Sequence, residues 1–176
     1  KEEDLSHELY NSGHLFESAV AHYQATGKKT LLNIAIKNAD LLVRTFGYGK
    51  EEKFPGHQII ETGLTKMFRV TGKKEYLDLA KFFLDLRGTA GHLNHEYSQA
   101  HKKVIDQHEA VGHAVRATYM YTGMADVAAL TGNQQYLKAI DDIWQDVVGK
   151  KLYITGGIGA TGAGEAFGNA YDLPNM

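Results

Sequence analysis

The sequence has 176 residues, a length typical of one domain and sufficient to bury a hydrophobic core without disulfides. Its 19 basic and 21 acidic residues are mixed along the chain and give a formal net charge of −2, so nucleic acid is not an expected partner. It contains no cysteine, which excludes disulfides and zinc–thiolate sites built from this sequence alone, and no apolar run long enough to suggest a membrane span.

A helix, a Thr-Gly turn and a second helix recur three times along the chain. The turn glycines are Gly27, Gly72 and Gly132. Apolar residues stand four, eight and twelve positions before each glycine and four, five, eight and twelve positions after it, which is the spacing of one helical face. This pattern predicts six α-helices paired as three hairpins. It also predicts that each glycine adopts the left-handed conformation that ends the first helix of its pair.

The second and third turn glycines are 60 residues apart, whereas the first and second are 45 apart. The longer interval contains an additional loop at residues 88–107 that is rich in Gly, His and Asn, and loops of this length are usually functional or disordered. Three hairpins predict either an open solenoid or part of a closed toroid. Variable loops at one end favour a toroid, in which first helices form the inner ring and second helices the outer ring.

Three of the nine histidines follow a glycine near the start of a first helix: His14, His57 and His113. In a ring of parallel inner helices these helix starts would meet at one mouth. A helix N-terminus disfavours cations, and a neutral imidazole can donate from one nitrogen and accept at the other, which suits sugar hydroxyls. The three stand at different distances from their turn glycines, so a second interpretation, as helix caps and core histidines, stays open.

Three other histidines each precede a glutamate: His7, His95 and His108. None of these pairs has the His-x-x-x-His helical spacing of zinc hydrolases. We therefore expect solvated polar positions there, and no metal ligands in this chain.

The last segment, residues 150–176, concentrates glycines around a single acid, Glu165. The string Gly157-Ile-Gly-Ala-Thr-Gly162 matches the dinucleotide-binding pattern, but that pattern needs a strand before it and a helix that opens at its third glycine. Here further glycines and Pro174 follow at once and the preceding chain is helical, so we do not expect a nucleotide site. A carboxylate among glycines is open to close approach by a ligand, which suits a general acid; a solvated loop acid is the alternative.

Six strings identify a family. They are Ser12-Gly-His-Leu-Phe-Glu-Ser-Ala-Val-Ala-His-Tyr23, Pro55-Gly-His-Gln58, Glu109-Ala-Val-Gly-His-Ala-Val-Arg-Ala117, Leu152-Tyr-Ile-Thr-Gly-Gly-Ile-Gly159, Gly164-Glu-Ala-Phe-Gly168 and Tyr171-Asp-Leu-Pro-Asn175. Through them the chain resembles, over essentially its whole length, glycoside hydrolase family 127, the β-L-arabinofuranosidases and their relatives. The resemblance implies a catalytic (α/α)6 toroid followed by β-sandwich domains. Residues 1–176 would be about half of that toroid: three hairpins plus an active-site loop at residues 150–176.

The resemblance also implies a bacterial enzyme that releases β-linked L-arabinofuranose, or a related pentose, from plant-type glycans with retention of configuration. Glu165 lies where the family places its general acid/base, and His14, His57 and His113 look like its sugar-binding histidines. The family nucleophile is a cysteine bound to a zinc ion that three cysteines and a glutamate hold.

This sequence contains none of those cysteines. We therefore expect the zinc ligands, the second half of the toroid and the β-sandwich domains outside this sequence, and we expect residues 1–176 to be inactive alone. Two alternatives are a helical-repeat binding module without chemistry and a family relative that cleaves another acidic or deoxy sugar. Oligomeric state and compartment stay open.

Overall fold

The structure, a computed structural model, describes residues 6–175. These residues form six α-helices: α1 (Glu8–Thr26), α2 (Thr30–Thr45), α3 (Ile60–Thr71), α4 (Lys74–Leu86), α5 (Ala114–Thr131) and α6 (Gln134–Asp146). A π-helical turn, Val147–Lys151, continues α6, and three short 3₁₀ turns lie at Glu96–Ser98, Val104–Asp106 and Ala163–Glu165. The described residues include no β-strand beyond isolated bridges, so the predicted all-α fold class is confirmed.

All three Thr-Gly turns have the predicted geometry. Gly27, Gly72 and Gly132 have φ values of +71°, +72° and +70°. Each glycine N–H donates, at 2.8 Å, to the carbonyl oxygen four residues earlier, that of Tyr23, Phe68 or Ala128. A Cβ at any of these glycines would meet no atom within 4 Å. The left-handed backbone alone therefore favours glycine at the turns.

The chain divides into two compact units, Lys1–Leu86 and Arg87–Met176. In the first unit, α1 and α3 approach each other at two glycines. A Cβ on Gly13 would lie 2.8 Å from the backbone nitrogen of Ile60, and a Cβ on Gly63 would lie 2.8 Å from the carbonyl oxygen of Gly13. Phe16, Ile60 and Leu64 are fully buried in this unit, so these small residues allow the helices to pack with their backbones in contact.

A polar cluster links α2 to the start of α4 in the same unit. Asp40 accepts hydrogen bonds from Nζ of Lys73 at 2.7 Å and from the hydroxyl of Tyr76 at 2.6 Å. Burial acts to raise the pKa of Asp40, but these two donors outweigh it and lower that pKa below its ordinary value. Burial and the Asp40 carboxylate raise the pKa of Tyr76 to about 12. The cluster therefore contains a carboxylate and a neutral phenol at neutral pH.

The second unit packs α5 and α6 with the loops on either side of them. Its apolar centre contains Ala114, Ala117, Ile143 and Phe167, all buried. Buried hydrogen bonds run within the long loop before α5. Fully buried Arg87 donates from Nη1 to the carbonyl oxygen of Ser98 at 2.8 Å.

Among residues 6–175, no helix is both long enough and apolar enough to cross a membrane.

Candidate active site

Glu165 lies on a tight bend of the glycine-rich segment. Gly164 and Glu165 both have left-handed backbone, with φ of +72° and +48°. The hydroxyl of Thr161 accepts the N–H of Ala166 at 3.3 Å and donates to the carbonyl oxygen of Ala163 at 2.8 Å, which closes the bend. The side chain of Glu165 is 76% exposed. A non-glycine residue in this backbone region costs energy and is often found at functional sites.

His113 is the N-cap residue of α5 and faces Glu165. Its Nδ1 accepts the N–H of Arg116 at 3.3 Å, which leaves the ring proton of a neutral imidazole on Nε2. Nε2 lies 3.0 Å from Oε2 of Glu165. The imidazole is only 10% exposed. The geometry therefore presents a buried donor to one oxygen of an exposed carboxylate, and it brings together two of the four predicted site residues.

Backbone hydrogen bonds fix the two residues beside each other. Ala166 pairs with His113 in an antiparallel bridge. The N–H of Phe167 donates to the carbonyl oxygen of Gly112 at 2.9 Å. These contacts involve the immediate neighbours of Glu165 and His113, so the backbone itself holds the two side chains beside each other.

Two residues that the sequence analysis did not single out shape the surroundings of His113. The ring of Tyr97 meets the imidazole edge-on, with centroids 5.3 Å apart, and the guanidinium of Arg116 lies 5.2 Å from the centroid of the same ring. Gly112 has φ of +70°, and a Cβ there would overlap the carbonyl oxygen of Glu96. The Gly-His pair was visible in the sequence, but the contact of Gly112 with a loop 16 residues away was not.

A groove of about 350 Å³ lies beside Glu165. One wall is the first turn of α5, with Ala114, Val115 and Thr118, and the other is the loop at residues 158–162. The lining combines apolar side chains with two threonine hydroxyls and the carboxylate. It can accept a ligand with both a carbon face and hydroxyl groups.

The other two predicted histidines belong to the first unit. His14 and His57 both contact Tyr10, with ring centroids 4.5 Å apart in each case. His57 is buried, and its Nδ1 lies 2.9 Å from the carbonyl oxygen of Gln58. His7 is exposed, as expected, but its ring also lies 5.5 Å from that of His57. The structure thus brings His14 and His57 into one aromatic cluster. His7 also belongs to this cluster, which its sequence spacing did not predict.

The convergence of this cluster with His113 and Glu165 on a single pocket stays a prediction. Among the described residues, no group of three or more His, Cys, Asp or Glu side chains could hold a metal ion.

Comparison with known proteins points to one family. Residues 2–176 match the family model described as beta-L-arabinofuranosidase, GH127 catalytic domain. A curated relative, the non-reducing end β-L-arabinofuranosidase of Bifidobacterium longum subsp. longum, is 39% identical over 192 residues, which cover 97% of this chain and 29% of the relative.

Three solved structures share the fold. A GH127 β-arabinofuranosidase is 63% identical with a TM-score of 0.93, covering 97% of this chain and 27% of that protein. A GH127 β-L-arabinofuranosidase from Geobacillus stearothermophilus T6 is 42% identical with a TM-score of 0.91, covering 96% and 30%. A third structure, of a glycoside hydrolase, is 35% identical with a TM-score of 0.83, covering 96% and 31%.

The chain thus spans less than a third of the length of the relatives it matches. Its helical hairpins superpose closely on theirs, as expected for about half of an (α/α)6 toroid. The family model covers nearly every residue, and the chain therefore belongs to the GH127 β-L-arabinofuranosidase catalytic-domain family.

Proposed function

We propose that the full-length protein is a retaining glycoside hydrolase that releases β-linked L-arabinofuranose from plant-type glycans, with Glu165 as general acid/base. The observation that carries this proposal is the exposed carboxylate of Glu165 held 3.0 Å from the buried imidazole of His113 at the edge of a groove. Relatives described as β-L-arabinofuranosidases support the sugar.

The unequal burial of the pair suits acid/base chemistry. Oε2 of Glu165 faces Nε2 of His113, so Oε1 is the oxygen we expect to meet the glycosidic oxygen. In the first step Glu165 protonates the departing oxygen, and in the second the resulting carboxylate takes a proton from the attacking water. His113 keeps the carboxylate oriented through both steps.

We further propose that His14, His57 and His113 bind sugar hydroxyls. A neutral imidazole offers one donor and one acceptor, and sugar hydroxyls need both. The T-shaped packing of Tyr10 against His14 and His57 restricts the orientation of both rings. Fixed rings lose less conformational entropy when a ligand binds.

The residues of this chain do not fit the zinc site that the family resemblance implies. The sequence has no cysteine, and the described residues contain no cluster suited to a metal ion. We therefore propose that zinc, with the cysteine nucleophile, is held by residues outside this sequence. The roles assigned to Glu165 and the histidines concern proton transfer and sugar binding only.

Replacing Glu165 with glutamine tests the acid/base role. In the full-length protein we expect Glu165→Gln to lower turnover by about 10²–10⁴-fold, because the amide cannot transfer the proton, and to leave zinc content unchanged. Glu75→Gln, at an exposed position of α4, is the matched control. Turnover is measured with a disaccharide substrate and zinc by metal analysis; wild-type rates in Glu165→Gln would remove this residue from the mechanism.

A panel of aryl glycosides tests the sugar. We expect the highest kcat/KM with the β-L-arabinofuranoside. Preference for another pentoside or for an acidic or deoxy sugar would overturn the substrate assignment without affecting the role of Glu165. Sugar binding without hydrolysis of any glycoside would instead support the binding-module alternative.

A further inference from the structure

The buried ion pair of Lys151 and Asp146 makes hydrogen bonds to both the carbonyl oxygen and the N–H of Ala110. Nζ of Lys151 donates to the carbonyl oxygen of Ala110 at 2.7 Å and lies 3.3 Å from Oδ2 of Asp146. That same carboxylate oxygen accepts the N–H of Ala110 at 3.0 Å. The side chains of Lys151 and Asp146 are only 2% and 5% exposed. Burying two charges is costly unless both are paired and hydrogen-bonded. The pairing therefore restricts the positions of Lys151, Asp146 and Ala110 relative to one another.

The charges in this network are matched. Burial acts to raise the pKa of Asp146, but the N–H of Ala110 and the ammonium groups of Lys150 and Lys151 outweigh it, so the pKa is lowered. Glu109 adds a second carboxylate 2.8 Å from Nζ of Lys151.

Lys151 stands at the neck of the loop that carries Glu165. The N–H of Tyr171 donates to the carbonyl oxygen of Lys150 at 2.9 Å. The glycine-rich segment therefore leaves and returns at the same point. A residue that anchors Lys150 and Lys151 anchors both ends of the loop at once.

Ala110 is close to His113 in the chain. Ala110 lies three residues before it, and the segment between them is held by further hydrogen bonds. The side-chain amide of Gln99, fully buried, donates to the carbonyl oxygens of Val111 at 2.9 Å and His113 at 3.2 Å. The N–H of His113 donates to the carbonyl oxygen of Tyr97 at 3.2 Å. These hydrogen bonds hold residues 110–113 together as one segment, so we expect a displacement of Ala110 to shift the imidazole of His113 with it.

We propose that Lys151, with Asp146 as its partner, is a positioning residue for the general acid. It fixes the neck of the Glu165 loop to the segment that carries His113, so that the carboxylate meets Nε2 of the imidazole. Lys151 touches no substrate in this role and acts only through Glu165 and His113. The inference rests on the proposed function of Glu165.

Leaving-group dependence separates positioning from simple stability. A poor leaving group, such as the sugar of a disaccharide, needs a correctly placed acid, whereas a dinitrophenolate leaves almost without protonation. In the full-length, zinc-loaded protein we expect Lys151→Met to lower kcat/KM for an arabinofuranosyl disaccharide about tenfold more than for the dinitrophenyl arabinofuranoside. A protein that is only less folded loses the same fraction of activity toward both.

Two variants calibrate the measurement. Glu165→Gln should show the same selectivity with a larger ratio, because it removes the acid itself. Lys138→Met, which breaks a surface ion pair with Asp142 on α6, should leave both rates as in wild type.

Equal losses on the two substrates in Lys151→Met, with selective loss in Glu165→Gln, would overturn the positioning role and leave the proposed function standing. Absence of selectivity in Glu165→Gln would overturn both. If Lys151→Met does not fold, Asp146→Asn provides the same comparison with a side chain of similar size, and equal losses there would likewise contradict the proposal.

Discussion

The side chains of His113 and Glu165 lie close together but differ in burial. The imidazole is nearly buried at the start of α5, where it packs against the ring of Tyr97, whereas the carboxylate lies exposed on a left-handed bend. A general acid must be held in place and must also contact the substrate. In this pair His113 holds the carboxylate and Glu165 is accessible to the substrate.

Gly112 is the residue on which this geometry depends most directly. Its φ of +70° resembles that of Gly132, but a Cβ at Gly112 would overlap the carbonyl oxygen of Glu96, whereas a Cβ at Gly132 would meet nothing. We expect Gly132→Ala to cost about 1–2 kcal/mol from backbone strain. Gly112→Ala should cost about 1–3 kcal/mol more, from the steric overlap.

Thermal unfolding of the full-length variants measures this difference. The midpoint of Gly112→Ala should lie well below that of Gly132→Ala, with activity lost only in the former. Equal midpoints would mean that the loop around Glu96 moves aside and does not restrain Gly112.

At the scale of helices, the first two hairpins contact each other in two ways, one through small residues and one through polar side chains. The helices α1 and α3 meet through the small residues Gly13 and Gly63, while α2 and α4 are linked through the hydrogen-bonded Asp40 cluster. The first contact depends on close backbone approach and the second on a buried hydroxyl. Helical periodicity predicts the faces of these helices but not which of the two solutions each pair uses.

The Asp40 cluster can be tested with one hydroxyl. Tyr76 is 1% exposed and donates to Asp40 at 2.6 Å. We expect Tyr76→Phe to lower the free energy of unfolding by about 1 kcal/mol, a value discounted for the partial exposure of Asp40.

A neighbouring surface pair provides the control for this prediction. Lys74 pairs with Asp78 one turn further along α4, and both side chains are mostly exposed. Lys74→Ala should therefore change stability by less than about 0.5 kcal/mol. Chemical denaturation measures the free energy of unfolding of the two variants. If Tyr76→Phe leaves that free energy unchanged, the hydrogen bond to Asp40 contributes no net stability.

At the scale of the whole molecule, both units contain carboxylates whose pKa is lowered, among them Asp40 in the first unit and Asp146 in the second. Such a group binds protons more weakly in the folded state than in the unfolded state. Its contribution to stability is therefore complete above its unfolded pKa and is lost as the pH falls through its folded pKa.

We therefore expect Asp146→Asn to be less stable than wild type at neutral pH and to lose less stability on acidification. The unfolding midpoint of full-length protein, measured between about pH 7 and pH 3, checks the slope. Asp141→Asn, at an exposed position of the same helix, should follow the wild-type curve. A parallel curve for Asp146→Asn would show that its carboxylate is not what stabilises the network.

Much of the fold could be predicted because its signals are local. Helical periodicity and three Thr-Gly turns predicted six helices, and the structure confirms them together with the left-handed glycines. The family strings predicted the relationship that the comparisons confirm. The roles of Glu165, His14, His57 and His113 were also predicted from those strings, and they stay predictions.

The sequence by itself determined the helices, their turns and the family, since a hydrogen-bonded helix and a left-handed glycine depend on residues a few positions apart. Only the tertiary structure decided which polar residues are buried and what they hold. Gln99 and Lys151 look like ordinary loop residues in the sequence, yet both are buried against the segment before α5. Burial depends on contacts with chain that is 12 to 41 residues away, and no local pattern contains that information.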